Sequence, residues 1–300
     1  MDSLRNFILC TVLSLLAVTI YAQKEYKGQV LDKHTGEPIP YVNIGILNRA
    51  KGTVTDVNGY FHLEINPLDY SLEDTLQFSS LGYKTVKKKV PTLTFAYNEY
   101  PKIFLEPDII ALDEVVLVAG VEEEQFVNEK IGYKNKWEKI YGYWKDNVSL
   151  GGELATKIRV RKGLRKLKSL SFGVWQNESD SVQVRVNIYD DDGPTGFPGT
   201  NLNKSSQHIL YVIKKGGSLA NIDLTPYNVY VKDDFIVSLE LLKVYGNSKI
   251  ALVLAAVKNR YANTYKKSAS HDKWQQMKGS AMTYYLESSL LVPDKKTKKK

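Results

Sequence analysis

Cysteine is almost absent: Cys10 is the only one in 300 residues, and it lies inside an apolar run near the start, residues 7–21. Beyond that run the chain has no thiol, which excludes disulfides, thiol catalysis and thiolate metal sites. Histidine is scarce too. His34, His62, His208 and His271 are scattered, with no pair at ligand spacing and no nucleophile elbow beside them, so serine–histidine catalysis and histidine metal centres have no footing. Long hydrophobic runs are also missing, since the one at 7–21 is about 15 residues and a membrane-spanning helix needs roughly 20. Excess charge is thin as well. The formal net charge is +8, but the last seven residues hold five Lys and one Asp, so half of it sits in a short polar tail, 294–300. The remainder is too dilute for a nucleic-acid footprint.

What is present is a globular composition, 43% hydrophobic and 25% charged, in a length that suits two domains. Arg5, the apolar run and the small residue Ala22 together read as a secretory signal peptide over residues 1–22, cleaved to leave Gln23 first. Phe7, Ile8 and Leu9 precede Cys10 in place of the small residues a lipoprotein anchor needs. The expected location is therefore the periplasm, the outer membrane or the outside of the cell. The basic tail reads as a solvated end, with peripheral attachment to an anionic membrane surface as the alternative.

Between residues 24 and 106, short alternating runs at 26–31, 41–47, 60–65 and 76–78 predict strands, and no segment keeps a helical period for three turns. Turn chemistry separates them. Thr35-Gly36-Glu37-Pro38 closes one hairpin, and Asp56-Val57-Asn58-Gly59 opens another through residues that tolerate positive φ. Phe61 and Leu63 fall on one face. The pattern predicts a small antiparallel β-sandwich.

The strings GQVLDKHTGEPIPYVNIGI, GTVTDVNGYFHLEI and FSSLGYKTVKKKV resemble the carboxypeptidase-regulatory-like domain, with Gly28, Gly36, Pro38, Gly52, Asp56, Gly59, Phe61 and Gly82 on its pattern. The resemblance implies a seven-stranded transthyretin-like sandwich of cell-envelope proteins, acting as an accessory module and not as an active site. The following LEPDIIALDEVVLVAG resembles the end of this domain ahead of the plug in TonB-dependent outer-membrane transporters. No plug-like sequence follows, and a 22-stranded barrel at roughly 10 residues per strand needs about twice this chain. Residues 113–118 therefore read as a final strand, or as a peptide offered to a partner for strand addition. The first domain is placed at 23–118, with a junction at 119–147.

From 148 to 293 strand alternation dominates. Val182, Val184, Val186 and Ile188 alternate with Gln183, Arg185, Asn187 and Tyr189, one face in and one face out. Similar strands read at 154–160, 167–175, 207–213, 228–231, 235–242, 250–257 and 282–287, predicting a second β-sandwich of jelly-roll type. The run LKSLSFGVWQNESDSVQVRVNIYD, with GFPGTNL and IDLTPYNVYVKDDFIVSLELL, resembles a module that accompanies the first one in secreted envelope proteins.

Four groups carry candidate chemistry. Tyr133, Trp137, Ile140, Tyr141 and Trp144 fit either one helical face or strand alternation; Trp137, Trp144 and Trp175 are candidate ligand-binding residues for sugar stacking, if exposed on one concave face, and otherwise cover a core. Asp190, Asp191 and Asp192 before Gly193 offer hard oxygen ligands for calcium, but without the spacing of an EF-hand, and turn chemistry alone also favours them. Glu178 and Asp180 with Asp233 and Asp234 are a remoter pair of carboxylates. The basic cluster Arg159, Arg161, Lys162, Arg165, Lys166 and Lys168 is expected to face water from a half-buried strand, or else an anionic glycan or lipid.

The sequence thus predicts an exported, all-β, non-enzymatic protein of two sandwiches with a binding or structural accessory role and no cofactor. Its partner is expected to be an envelope protein or a glycan, not nucleic acid. The alternatives are a carbohydrate-binding module and an accessory subunit of a TonB-dependent transporter.

Overall fold

The computed structural model describes residues 24–65, 70–71, 73–89, 101–108, 124–146, 148–246 and 250–293. The predicted signal peptide, residues 113–118 and the basic tail lie outside them.

The first sandwich contains β1 (Lys24–Asp32), β2 (Asn43–Ile46), β3 (Gly52–Val54), β4 (Tyr60–Ile65), β5 (Thr75–Ser79), β6 (Val86–Lys89) and β7 (Lys102–Leu105). One layer runs β4-β1-β7, with β1 and β7 parallel, and the other runs β3-β2-β5-β6. Alternation sets the inside: β4 buries Phe61, Leu63 and Ile65 and exposes the residues between them. Phe61 meets Phe78 of the opposite layer edge to face, ring centroids 5.8 Å apart. The two predicted turns form. Asp56 Oδ1 accepts from the Asn58 and Tyr60 amides at 2.9 Å, and Gly59 holds φ at 73°.

The second sandwich contains β8 (Glu124–Gly132), β9 (Ile140–Asp146), β10 (Glu153–Ile158), β11 (Arg165–Asn177), β12 (Ser181–Asp190), β13 (Ile209–Lys214), β14 (Ser218–Asp223), β15 (Tyr230–Val231), β16 (Phe235–Tyr245), β17 (Ile250–Lys267), β18 (Gln275–Met282) and β19 (Tyr285–Pro293). Hydrogen bonding follows β13-β12-β16-β10-β17-β11-β19-β8, with β9, β14, β15 and β18 attached at the side. The long β17 joins the layers: its far end pairs with β10, and its start pairs with β9 and β11. A core of Phe172, Val174, Val184, Val186, Leu239, Leu241, Leu252, Leu254 and Tyr284 fills the space between. The fold is the expected all-β pair, a transthyretin-like sandwich followed by a jelly-roll-like one.

Two expectations need correction. From Glu124 onward the supposed junction belongs to the second sandwich, because β8 pairs along β19 and β9 along β17. The helical alternative for the aromatic stretch is not realised there. The polar face of β12 is also not solvated: Gln183, Arg185 and Asn187 are buried, as are the valines between them. The reason is that the first sandwich lies on it.

That contact is polar and closely fitted. Arg185 donates to the Tyr41 carbonyl and to Asn43 Oδ1, each at 2.9 Å, and Gln183 donates to the Tyr41 hydroxyl at 3.1 Å. Ser270 donates to the Thr53 carbonyl at 3.2 Å, and the Asn48 amide to the His271 carbonyl at 2.9 Å. Gly45 is required here, since the Ser270 carbonyl fills the space a Cβ would take.

Candidate functional site

The predicted ligand-binding tryptophans do not share a face. Trp144 lies on the inner side of β9, 2% exposed, within the core of the second sandwich, so it presents nothing to a ligand. Strand alternation explains this: if Trp144 points in, Tyr141 and Tyr143 point out, and they are 54% and 53% exposed. Of the two periods open to the aromatic stretch, strand alternation is the one realised, and it brings Tyr143 out beside Tyr141. The period-2 signal of 141 and 143 was the clue that separated them from Trp144.

Trp175 lies at the bulge where β11 meets β17, on the same outer side as Val253 and the two tyrosines. The strand order β9, β17, β11, β14 lays Tyr141 and Tyr143, Val253 and Ala255, Gly173 and Trp175, and Leu219 across one outer face. Leu219 is 62% exposed. The chain between β8 and β9 crosses this face. Its Trp137, 46% exposed, meets Trp175 edge to face with centroids 5.3 Å apart.

The crossing loop is held in an unfavourable state. Trp137 has φ of 53°, a region costing roughly 1–2 kcal/mol for a residue with a bulky side chain. Asn135 Oδ1 accepts from the Trp137 amide at 2.8 Å, and the Asn135 amide group takes the space above Gly173, which has no side chain to oppose it. Asn135 Nδ2 and Trp175 Nε1 are nevertheless buried without a hydrogen-bond partner among the described residues. An unmet buried donor costs about 1–3 kcal/mol. Glu138 ties the far end of the loop to β17 by accepting from the Lys258 amide at 2.8 Å.

The aspartates form a different arrangement from a calcium loop. Lys157, largely buried, pairs with Asp191 and reaches Asp234 at 3.4 Å, so an ammonium stands where a cation would sit. Burial works against that charge, but the two carboxylates outweigh it and hold Lys157 above its ordinary pKa. Asp192 turns away to accept from Thr200 Oγ1 and the Thr200 amide, which lower its pKa, and Asp190 accepts from the Asp191 amide. The three carboxylates do not converge. Asp190 and Asp191 border a cleft of about 1060 Å³ lined also by Leu164, Leu202, Tyr227 and Tyr230. Among the described residues, three metal-type ligands come together at Glu25, His62 and Glu64, all exposed, with Glu25 already paired to Lys27.

The remoter carboxylates are separated by the ladder itself. Ser181 pairs with Tyr245 and Asp190 with Phe235, so Glu178 and Asp180 sit at one end of β12 and Asp233 and Asp234 at the other, about 30 Å away at 3.3 Å per residue. In the basic cluster, Arg159, Arg161 and Lys162 are exposed as expected, but Arg165 is fully buried against Glu129.

A buried charge network of the second sandwich lies at its boundary with the first. Glu240 Oε2 accepts from Arg185 and Asn187 at 2.8 Å, and Lys267 pairs with Glu153 beside it. Burial raises the Glu240 pKa, but Arg185, Lys267 and Asn187 outweigh burial and leave it below the ordinary value. His271 contacts Gln77 Nε2 through Nδ1 at 3.0 Å and the Asn43 carbonyl through Nε2 at 3.1 Å, which fits the neutral Nε2–H tautomer. Burial pushes His271 down to about 4 and His208 to about 3. A cleft of about 310 Å³ opens beside this layer, lined by Asn43, Ser79, Asp108, Asn187, Lys204 and His208 among others. The histidines and acids here serve the joint between the domains.

The fold and its sites define a two-sandwich all-β protein. Residues 26–117 match the CarboxypepD_reg-like domain family, so the first sandwich is a domain of that kind. No curated protein matches the chain. Among solved structures, the chain is similar to the crystal structure of BcpA*(D312A), the major pilin subunit of Bacillus cereus, at 12% identity over 90% of this chain and 69% of that one, with a TM-score of 0.18. It is similar also to the structure of infectious bursal disease virus Gx strain, at 9% identity over 90% of this chain and 64% of that one, with a TM-score of 0.22. At these scores neither carries an argument about function.

Proposed function

We propose that this chain is an exported, non-enzymatic accessory of the cell envelope that binds polysaccharide through the outer aromatic face of its second sandwich. The carrying observation is that Tyr141 and Tyr143 on the outer sheet face, and Trp137 on the loop that crosses it, stand about half exposed beside Trp175 and the exposed Leu219. Contiguous exposed apolar surface of this kind marks an interaction site. Aromatic rings with polar tips suit a ligand that is apolar on its faces and wet at its edges, as a pyranose ring is. The first sandwich, fixed to the opposite side through Arg185 and His271, leaves this face open. The non-enzymatic reading is supported by the fate of the titratable groups: the buried histidines and carboxylates named above are engaged in the joint or in paired turns.

The test is co-sedimentation of residues 23–300 with peptidoglycan sacculi and with insoluble β-glucan. The wild-type chain should be depleted from solution by one of them, and the double variant Tyr141→Ala/Tyr143→Ala should remain in the supernatant with its melting temperature unchanged. Failure of the wild-type chain to bind either, or equal retention of the variant, would sink the reading.

A further inference from the structure

Two of the four buried side-chain polar atoms that lack a partner among the described residues, Asn135 Nδ2 and Trp175 Nε1, belong to the same small contact. Both are donors. Asn135 belongs to the loop that carries Trp137, the residue held at positive φ, with its amide group turned to the sheet, and Trp175 lies beneath that loop on the proposed binding face. Partnerless buried donors are rare in proteins, and backbone strain tends to collect where a ligand is bound. Neither atom touches solvent, so neither meets a ligand while the loop rests on the sheet.

Resting on the polysaccharide reading, we infer that residues 134–137 form a flap that a glycan displaces, and that Asn135 Nδ2 and Trp175 Nε1 then donate to hydroxyl or ring oxygens of a sugar. The closed flap is held to the sheet by the edge-to-face contact of Trp137 on Trp175 and by the Asn135 amide group packed over Gly173, while the Trp137 amide bond to Asn135 Oδ1 lies within the flap and breaks when Asn135 turns to a ligand. Glu138, bound to the Lys258 amide, anchors the end nearest β9, so the flap swings from a fixed point. Opening uncovers the Trp175 ring beside Tyr143 and turns two unmet donors into two met ones. The ligand class follows from the donors. An oxygen-rich, uncharged chain supplies acceptors at every residue, whereas an apolar peptide surface would leave both donors unmet.

Trp175→Phe keeps a ring and deletes the indole N–H, while Asn135→Asp keeps the acceptor for the Trp137 amide and deletes the donors. Each should weaken retention on the sedimenting polysaccharide by about fivefold, the effect of one lost hydrogen bond. Trp175→Phe should melt no lower than wild type, because the deleted donor has no partner among the described residues; a purely structural role would lower its melting temperature. Hydrogen exchange adds a direct reading of the flap: the Trp137 amide should lose protection on saturation with solubilised peptidoglycan or soluble β-glucan fragments. Wild-type affinity in both variants, or unchanged Trp137 exchange in the bound state, would overturn the flap while leaving the aromatic face intact if Tyr141→Ala/Tyr143→Ala still fails to bind. Absence of binding by the wild-type chain would overturn both.

Discussion

The guanidinium of Arg185 and the carbonyl oxygen of Tyr41 lie 2.9 Å apart across the boundary between the two sandwiches. On its other side the same guanidinium holds Glu240, which is fully buried. Arg185 is thus both the domain joint and the counter-charge of a buried acid. Replacing it with Ala removes one partner from a buried pair, a change that costs about 3–5 kcal/mol. Urea unfolding should show the loss, and limited proteolysis should release the first sandwich as a separate fragment. A destabilisation under 1 kcal/mol would mean that Asn187 and Lys267 suffice to hold the Glu240 charge.

Acid should loosen this joint before it unfolds either core. His271 and His208 titrate near 4 and 3 in the folded chain, pushed down mainly by burial, against about 6.5 when unfolded. Since the unfolded chain takes up the protons first, their contribution is full above about pH 6.5 and is lost as the pH falls to about 4 for His271 and about 3 for His208. For His271 the swing is on the order of 3 kcal/mol. A His271→Gln chain should show a flatter fall in melting temperature between pH 6.5 and 4 than wild type. Parallel curves would refute the assignment.

Gly45→Ala places a methyl group where the Ser270 carbonyl stands. Overpacking of this sort costs about 1–3 kcal/mol, and here it falls on the docking of the domains, because Gly45 sits on the outer side of β2 while Ile44 and Ile46 fill the core. Scattering should report a wider distribution of domain separations with the core of each sandwich intact.

Lys157→Met leaves Asp191 and Asp234 facing each other without their ammonium. The variant should melt lower at neutral pH, by about 2 kcal/mol for a partly buried pair. Calcium should restore part of that loss, while the melting temperature of the wild-type chain should not respond to it. A wild-type response would reinstate the aspartates as a metal loop.

The tryptophans should separate cleanly by stability. Trp144→Ala opens a core cavity costing about 3–5 kcal/mol, whereas Trp137→Gly relieves a positive-φ position at the price of one ring contact and should leave stability within about 1 kcal/mol. Thermal melts of the two variants decide the matter; equal losses would place Trp137 in the core.

Much of the fold was legible because alternation and turn residues are local. Phe61 and Leu63 turn inward, and the turns at 35–38 and 56–59 close as their Gly, Asp and Asn residues require. The candidate site was only half legible. Trp137 and Trp175 meet as neighbours, but they are joined by a bulge and a crossing loop that no spacing encodes, and Trp144 was grouped with them because residue type says nothing about which side of a strand it takes. The calcium reading of Asp190–Asp192 failed for a similar reason: Lys157, remote in sequence, reaches the same point in space.

By itself, the sequence determined the chemistry available and the class of fold. With one cysteine and four scattered histidines, it offered no thiolate cluster and no histidine pair at ligand spacing, and period-2 patterns bounded by Gly, Asp and Pro left little besides sandwiches. Only the tertiary structure decided where the polar faces go. Arg185, Asn187 and Gln183 carry the pattern of a solvated face, yet they are buried, because burial on the outer side of a sheet depends on what docks against it. That docking rests on backbone carbonyls at Tyr41, Asn43 and Thr53 and on the missing Cβ of Gly45, groups that leave almost no mark in a residue pattern.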